Sequence, residues 1–404
     1  MKKPRLNVFV DDERVGAIDR SDVEDDTFLF TYEAAVPGGS AVSITMPPRA
    51  DQYDSMSGLL PVFEMNLPEG GLKERLRNQF AKAIPGFDDL DMLAIVGTSQ
   101  IGRLRFSHAE TVAENVPSQD LKALLTYEGS ADFFADLLEK FATYSGISGV
   151  QPKVLVRELS PPDKLVHHGS THIIKSFDPS EYPELAANEM ICTAGAKQAG
   201  LPTANVSLSE NRKLLVVERF DRTAQGKYLG IEDFCVLTAR RAHGRYDSSY
   251  EEIAKRIGDF VTHKKLGIAK EQFALMVAYT CAVENGDAHL KNFSVIYPQA
   301  DGIVELAPAY DIISTTPYVA KDTLALTMAG SKDFPGRATL LRFIRETTAK
   351  NEKAAAQVID RAITGAHAAI TKARLYAKQY PDAADFSQKL EKNISRGIAR
   401  IAQS

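Results

Sequence analysis

Hydrophobic and polar positions alternate in short runs at the start of the chain and in helical spacing towards its end. Over the first hundred residues, apolar runs at 6–10, 27–32 and 41–46 are separated by Asp, Gly and Pro clusters, which predicts short strands joined by turns. Helical patches at 71–82 and 88–95 interrupt them. The second leads into Gly97-Thr-Ser-Gln-Ile-Gly102 and the strand-like Arg103-Leu-Arg-Phe106. From about residue 109 the text changes. Ser118 and Ser130 stand where N-caps would precede amphipathic helices at 121–127 and 133–144. The small-residue stretch Ser145-Gly-Ile-Ser-Gly149 comes next, followed by strand-like runs at 152–158 and 171–177. A helix from about Glu184 to Ala199, closed by Gly200, precedes a strand at 213–220. After Asp221 the pattern is mostly helical to the end, with the last two helices at about 353–378 and 384–402.

The helical region contains one polar loop of unusual content. Asn285-Gly-Asp-Ala-His-Leu-Lys-Asn292 follows an apolar helix-like run at 273–283 and precedes the alternating Phe293-Ser-Val-Ile-Tyr297. Pro308-Ala-Tyr-Asp-Ile-Ile313 lies further on. An Asp, an Asn five positions later and a second Asp beyond is the order in which kinases place their phosphoryl-transfer groups. In that order Asp287 meets the acceptor hydroxyl, and Asn292 and Asp311 hold metal.

Upstream segments supply the other parts in the same serial order. Residues 145–149 form a loop whose backbone N–H groups can approach phosphate oxygens, although an ordinary turn reads the same way. Lys175 ends an apolar strand, where a lysine is commonly just a solvated strand end. Glu189 lies on the following helix and is placed to pair with it. Glu181 and Glu184, nearer the helix start, suit the helix dipole. Glu218 and Phe220 end a strand where a hinge would meet an adenine ring. His289 reads as a structural loop residue, and Lys291 as either a phosphate-neutralising or an exposed cation.

Composition narrows the class. A chain of 404 residues supports two or three domains, and 44% hydrophobic with 25% charged residues is ordinary for a soluble globular protein. No uninterrupted apolar segment stands out as a membrane span. The start lacks a signal-peptide core, so a cytoplasmic protein is expected. Cys192, Cys235 and Cys281 are scattered, which predicts reduced buried thiols. The net charge of −5 argues against broad nucleic-acid binding.

With these residues assembled, the chain resembles the HipA family of serine/threonine-kinase toxins from bacterial type II toxin–antitoxin systems. The segments that carry the likeness are Gly149-Val-Gln-Pro-Lys153, Thr171-His-Ile-Ile-Lys175, Val217-Glu-Arg-Phe-Asp-Arg222, Glu232-Asp-Phe-Cys235, Gly286-Asp-Ala-His-Leu-Lys-Asn-Phe-Ser294 and Tyr310-Asp-Ile-Ile-Ser314. Leu67-Pro-Glu-Gly70 and the 97–102 turn are similar to the N-terminal subdomain of full-length members. The resemblance implies an α+β, two-lobed protein-kinase-like fold: a β-rich unit at 1–108, an N-lobe at 109–220 and a helical C-lobe at 221–404. It implies ATP and Mg2+, with Asp287 catalytic and Asn292 and Asp311 metal-binding. Lys175, Lys153, Glu189, Gly149, Glu218 and Phe220 then lie on the nucleotide side. It further implies a serine on an aminoacyl-tRNA synthetase as acceptor, typically the glutamyl enzyme. A HipB-like helix-turn-helix antitoxin is the implied partner, with DNA reached only through it. In the best-known members a loop serine becomes autophosphorylated three positions before the loop glycine. Here that place is Gly146, which leaves Ser148, with Ser145 as fallback. The alternatives are a pseudokinase acting as corepressor and a small-molecule phosphotransferase.

Overall fold

The computed structural model of the protein describes residues 4–22, 26–55, 57–127, 133–149, 151–159, 169–177 and 180–403. Five strands near the N-terminus, β1 (Leu6–Val10), β2 (Glu13–Arg20), β3 (Phe28–Tyr32), β4 (Tyr53–Asp54) and β5 (Leu104–Ser107), form an antiparallel sheet in the order β4-β3-β2-β1-β5. Its apolar face packs on the helices Pro61–Glu64, Gly70–Phe80 and Asp89–Val96 around Phe30, Phe63 and Phe106. The helix Asp89–Val96 starts sharply because Asp88 accepts from Leu90 N and Asp91 N while Asp91 accepts from Asp88 N. Arg20 on β2 then grips both carboxylates, at 2.7–2.8 Å.

A second sheet has the order β6-β7-β8-β10-β9, from β6 (Ser118–Gln119), β7 (Lys153–Glu158), β8 (His172–Ser176), β9 (Val206–Leu208) and β10 (Leu214–Glu218). Only β6 and β7 run parallel. The helix Leu185–Gln198 packs beside it and carries Glu189. Below it lies the helical part, centred on His263–Val283, against which Tyr250–Phe260, Arg337–Thr348, Glu352–Gln379 and Ala384–Ala402 pack. By length and composition His263–Val283 would pass for a membrane span. Here 67% of its apolar window is buried, and its side chains from Phe273 to Val283 form the centre of the core.

Several sequence expectations are corrected. Residues 41–46 are not a strand: they are a loop with one bridge between Ser43 and Met46. The buried Glu232 takes the hydroxyl of Ser43 at 2.6 Å and the N–H of Ile44 at 2.8 Å, so this backbone serves a remote carboxylate and not a ladder. Ser118 lies in β6, and the cap of the helix Leu121–Leu125 is Asp120, which accepts from Lys122 N and Ala123 N. Ser130 lies outside the described residues. After Asp221 the chain is mostly helical, and the alternating run at 293–297 is the strand β12 (Ser294–Tyr297); its partners β11 (Gly230–Asp233) and β13 (Glu305–Leu306), which complete a third sheet, carried no sequence expectation. The expected helix at 133–144 is α-helical over Phe133–Phe141 and 3-10 over Ala142–Tyr144.

The N-terminal unit is bolted to the rest by buried charge. Arg219, fully buried, pairs with Asp221 at 2.6 Å and donates to Gln100 O at 2.9 Å; Asp221 accepts from Gly102 N at 2.6 Å. Glu64 receives Arg241 and the N–H of Ala242 at 2.9–3.2 Å. Breaking such a buried pair by removing one partner costs about 3–5 kcal/mol. These bonds fix the β-rich unit against the cleft described next.

Candidate active site

Strand register creates the site's first constraint. In the β7–β8 ladder Lys153 stands directly opposite Lys175, and both are buried. Like charges opposite one another in a sheet are unfavourable, so the pair requires anions. Two are present. Glu189, one helix away, accepts from Lys175 Nζ at 2.6 Å, and Asp311 accepts from the same ammonium. Burial would drive the Lys175 proton off, but Asp311 and Glu189 outweigh it and raise its pKa. Asp311 feels the converse: burial opposes ionisation, yet Lys175 and then Lys153 hold its carboxyl well below the usual range. Glu189 is pushed up by burial, with Lys175 opposing. Lys153 is pushed down by burial; its ammonium reaches the Ser148 carbonyl at 3.3 Å.

The opposite wall is the polar loop after His263–Val283. Glu284, in the left-handed region at φ 53°, ends that helix and turns the chain. Asp287 N donates to Asn285 Oδ1, and His289 N donates to Asn292 Oδ1, both at 3.0 Å, so the loop is held by its own side chains. Asp311 also adopts a left-handed backbone, φ 57°, which Asp tolerates better than most residues. Asp287 accepts from the Tyr246 hydroxyl at 2.8 Å. Burial raises the Asp287 carboxyl, the Tyr246 bond lowers it, Asp311 raises it, and the net value is about 6. His289 is brought down to about 4 by burial and by Arg245, so it is neutral and a weaker base than Asp287.

A cavity of about 210 Å³ separates the two walls. Lys153, Lys175, Glu189, Asp287, Asn292 and Asp311 all line it. So do Gly149, Ser148, Glu218 and Phe220. The structure therefore brings together every expected site residue except Ser145. That serine is fully buried, donating to Phe141 O at 2.7 Å and accepting from Leu155 N at 2.9 Å, which fastens the loop to β7. Phe220 lies 5.6 Å from the Tyr310 ring. The Glu218 N–H is already committed to Asn205 O at 2.9 Å, so it does not face the cavity as a free hinge donor. Gly149 sits at φ 123°, and a Cβ there would collide with the Lys153 ammonium.

Sequence reasoning missed Tyr246, Arg245 and Glu69. Tyr246 and Arg245 follow a short 3-10 turn, Ala242–Gly244, with no spacing signal. Glu69 sits within Leu67-Pro-Glu-Gly70, noted only as part of the N-terminal unit. Its carboxylate receives Ser148, Lys291 and, at 2.7 Å, Arg245.

Residues 145–370 match the HipA-like C-terminal domain, and residues 6–107 match the HipA N-terminal domain. The chain belongs to the HipA family. A "Putative kinase" of Haemophilus influenzae is 33% identical over 213 residues, 48% of this chain and 60% of the relative. "Putative kinase Y4mE" of Sinorhizobium fredii is 28% identical over 335 residues, 78% of each chain. "Putative kinase Y4dM" of the same organism is 26% identical over 290 residues, 67% of this chain and 66% of the relative. Against the Haemophilus protein and Y4dM, then, the match spans about two thirds of the relative's length or less. Among solved structures, HipA of the Shewanella oneidensis MR-1 toxin–antitoxin system, determined with HipB and operator DNA, superposes with a TM-score of 0.69. That likeness covers 98% of both chains at 18% identity and shows a shared fold. This HipA-family chain thus has the two-lobed kinase-like architecture with a β-rich N-terminal unit.

Proposed function

We propose that this HipA-family protein is a Mg-ATP-dependent serine/threonine protein kinase and the toxin of a type II toxin–antitoxin module. One observation carries the reading: Lys175, held between Glu189 and Asp311, faces Asp287 and Asn292 across a single cleft. The two opposed lysines, balanced in this structure by Glu189 and Asp311, line that cleft with ammonium groups that would meet the oxygens of a polyphosphate. Asp287, with a pKa of about 6, is ionised at neutral pH and stands beside Tyr246 on the cavity wall, where it can accept a hydroxyl proton. In the proposed transfer the acceptor oxygen bonds to the γ-phosphorus, the bond to ADP breaks, and Asp287 takes the hydroxyl proton.

Asn292 and Asp311 offer hard oxygen donors, one neutral and one kept ionised by Lys175, and this donor set fits Mg2+. Bound there, Mg2+ would neutralise phosphate charge. The protein's own residues do the positioning: Lys175 and Lys153 for phosphate oxygens, and Phe220 with Tyr310 as an aromatic wall for a base.

The acceptor is proposed to be a serine of an aminoacyl-tRNA synthetase, the glutamyl enzyme first, and the partner a HipB-like antitoxin. Family membership supports both, and the fold shared with a HipA solved beside HipB and operator DNA supports the partner. The test is induction in cells with and without a neighbouring helix-turn-helix protein, followed by phosphoserine mapping of the synthetases. Growth arrest relieved by the neighbour, with a new phosphoserine on a synthetase, is the expected result. No phosphoserine on any synthetase during arrest refutes the target.

A further inference from the structure

The polar loop that carries Asp287 begins at a residue placed where a helix end ordinarily takes glycine. Glu284 closes the helix His263–Val283 in the left-handed region, φ 53°, a conformation that side chains rarely adopt and glycine adopts freely. Its fully buried carboxylate explains the exception. It accepts from Arg396 Nε at 3.0 Å, from a second nitrogen of the same guanidinium, from Arg400 at 2.5 Å and from the Thr316 hydroxyl at 3.0 Å. Arg396 and Arg400 stand one turn apart on the C-terminal helix, Ala384–Ala402. Between them Gly397 lies against the backbone of Cys281 and Ala282. Any Cβ there would collide with Ala282 O, so glycine lets the helix come close enough for both arginines to reach. Burial opposes ionisation of Glu284, but the bonds from Arg396 and Arg400 outweigh it and hold the carboxyl below the usual range.

The same residue ties together the two acidic arms of the cleft. Thr315, on the segment that follows Asp311, donates its N–H to Glu284 O at 3.2 Å, and its hydroxyl accepts from Gly286 N at 2.8 Å. Gly286 lies so close to the Asp322 side chain that a Cβ would collide with it. The backbone just before Asp287 and the backbone after Asp311 are thus bonded to each other, and Glu284 fastens their junction to the C-terminal helix. Among the described residues, none of Glu284, Arg396 and Arg400 lines the cleft. We propose that these three are positioning residues, through which the helix Ala384–Ala402 sets the spacing between Asp287 and Asp311 from outside the cleft. The effect on transfer rests on the function proposed above; the positioning itself is testable without nucleotide.

Amide hydrogen exchange is measured on the nucleotide-free full chain for wild type, Arg396→Gln/Arg400→Gln and Glu284→Gly. Both arginines are partly exposed, so glutamine can replace them, and glycine suits the left-handed backbone at 284 while leaving no buried charge unpaired. In both variants exchange of the Gly286 and Thr315 amides is expected to speed about tenfold, the scale of one charge-assisted bond, with the amides of Leu185–Gln198 unchanged. Transfer from labelled ATP is expected to slow by about 10- to 100-fold, since a small misplacement of the reacting groups is enough. Nucleotide affinity should stay close to wild type, because Lys175 still holds Asp311 and Asn188 still clamps the Ser314 N–H and carbonyl at 2.8–2.9 Å. Combining Glu284→Gly with the two arginine changes is expected to cost no more than either alone, because all three act through one carboxylate. Four results each overturn the proposal: unchanged Gly286 and Thr315 amides, exchange sped evenly through Leu185–Gln198 as well, full transfer despite loosened amides, or losses that add in the triple variant. A wild type that transfers no label counts against the kinase reading alone, and the exchange results then decide the positioning.

Discussion

Replacing Lys175 with Met unbalances a largely buried cluster of four charges. In the wild type two buried lysines, Lys153 and Lys175, face two carboxylates, Glu189 and Asp311. The substitution keeps the stem's volume but leaves two anions against one cation. Removing one partner of a buried pair costs about 3–5 kcal/mol, a large part of the roughly 5–15 kcal/mol that stabilises a domain. The loss depends on pH. Without Lys175, Glu189 loses its main counter-charge, so its folded pKa rises further above the unfolded value. The folded variant then holds a proton that the unfolded chain has released. Its stability relative to wild type is therefore best at low pH and is lost as pH rises through the folded Glu189 pKa. Urea unfolding near pH 5 and near pH 8 measures this directly, with the larger deficit expected near pH 8. The double variant Lys175→Met/Glu189→Gln is expected to recover most of the loss, because Asp311 and Lys153 remain as a balanced pair. A deficit under about 1 kcal/mol, or one that does not change with pH, would refute the argument.

Three further outcomes follow from the geometry. Asp311→Ala is expected to lose Mg-dependent nucleotide binding, read by titration with and without the metal; undiminished Mg-ATP binding would place the metal role elsewhere. Tyr246→Phe removes a bond that lowers the Asp287 pKa, so the acidic limb of the transfer rate, expected near pH 6, moves to higher pH. A limb that stays in place or moves down contradicts the assignment. Mass spectrometry after incubation with Mg-ATP is expected to find phosphate on Ser148 and none on Ser145, whose hydroxyl is fully engaged in the core; phosphate on Ser145 would mean that the loop unfolds to react.

Local chemistry was legible in the sequence, and long-range chemistry was not. Asp287 and Asn292 share one loop whose spacing is set by its own hydrogen bonds, so the pattern survives in one dimension. Lys175 and Glu189 are separated by one strand-to-helix connection, so their pairing could be anticipated from that order, although the burial of the lysine, read there as a solvated strand end, could not. Glu69 is another matter: its partners lie 79, 176 and 222 residues away, and nothing near Leu67-Pro-Glu-Gly70 announces them. Glu232 likewise reorganised residues 41–46 from 188 residues away. The strand Glu13–Arg20 escaped notice because charged ends and a central glycine dilute its alternation, while its pairing with β1 and β3 supplies the stability. Glu218 shows the limit of a motif: its position at the strand end was as expected, but its N–H is spent on Asn205.

In the proposed reaction Asp287 serves the acceptor hydroxyl, in a cleft where other residues hold the nucleotide. Labelled ATP and Mg2+, with wild type and Asp287→Ala side by side, test it in one experiment that reads both nucleotide affinity and label transferred to protein. Asp287→Ala is expected to keep nucleotide affinity close to wild type and to lose transfer by about 10²–10⁴-fold, the range for loss of a general base. Transfer by Asp287→Ala at the wild-type rate would contradict it.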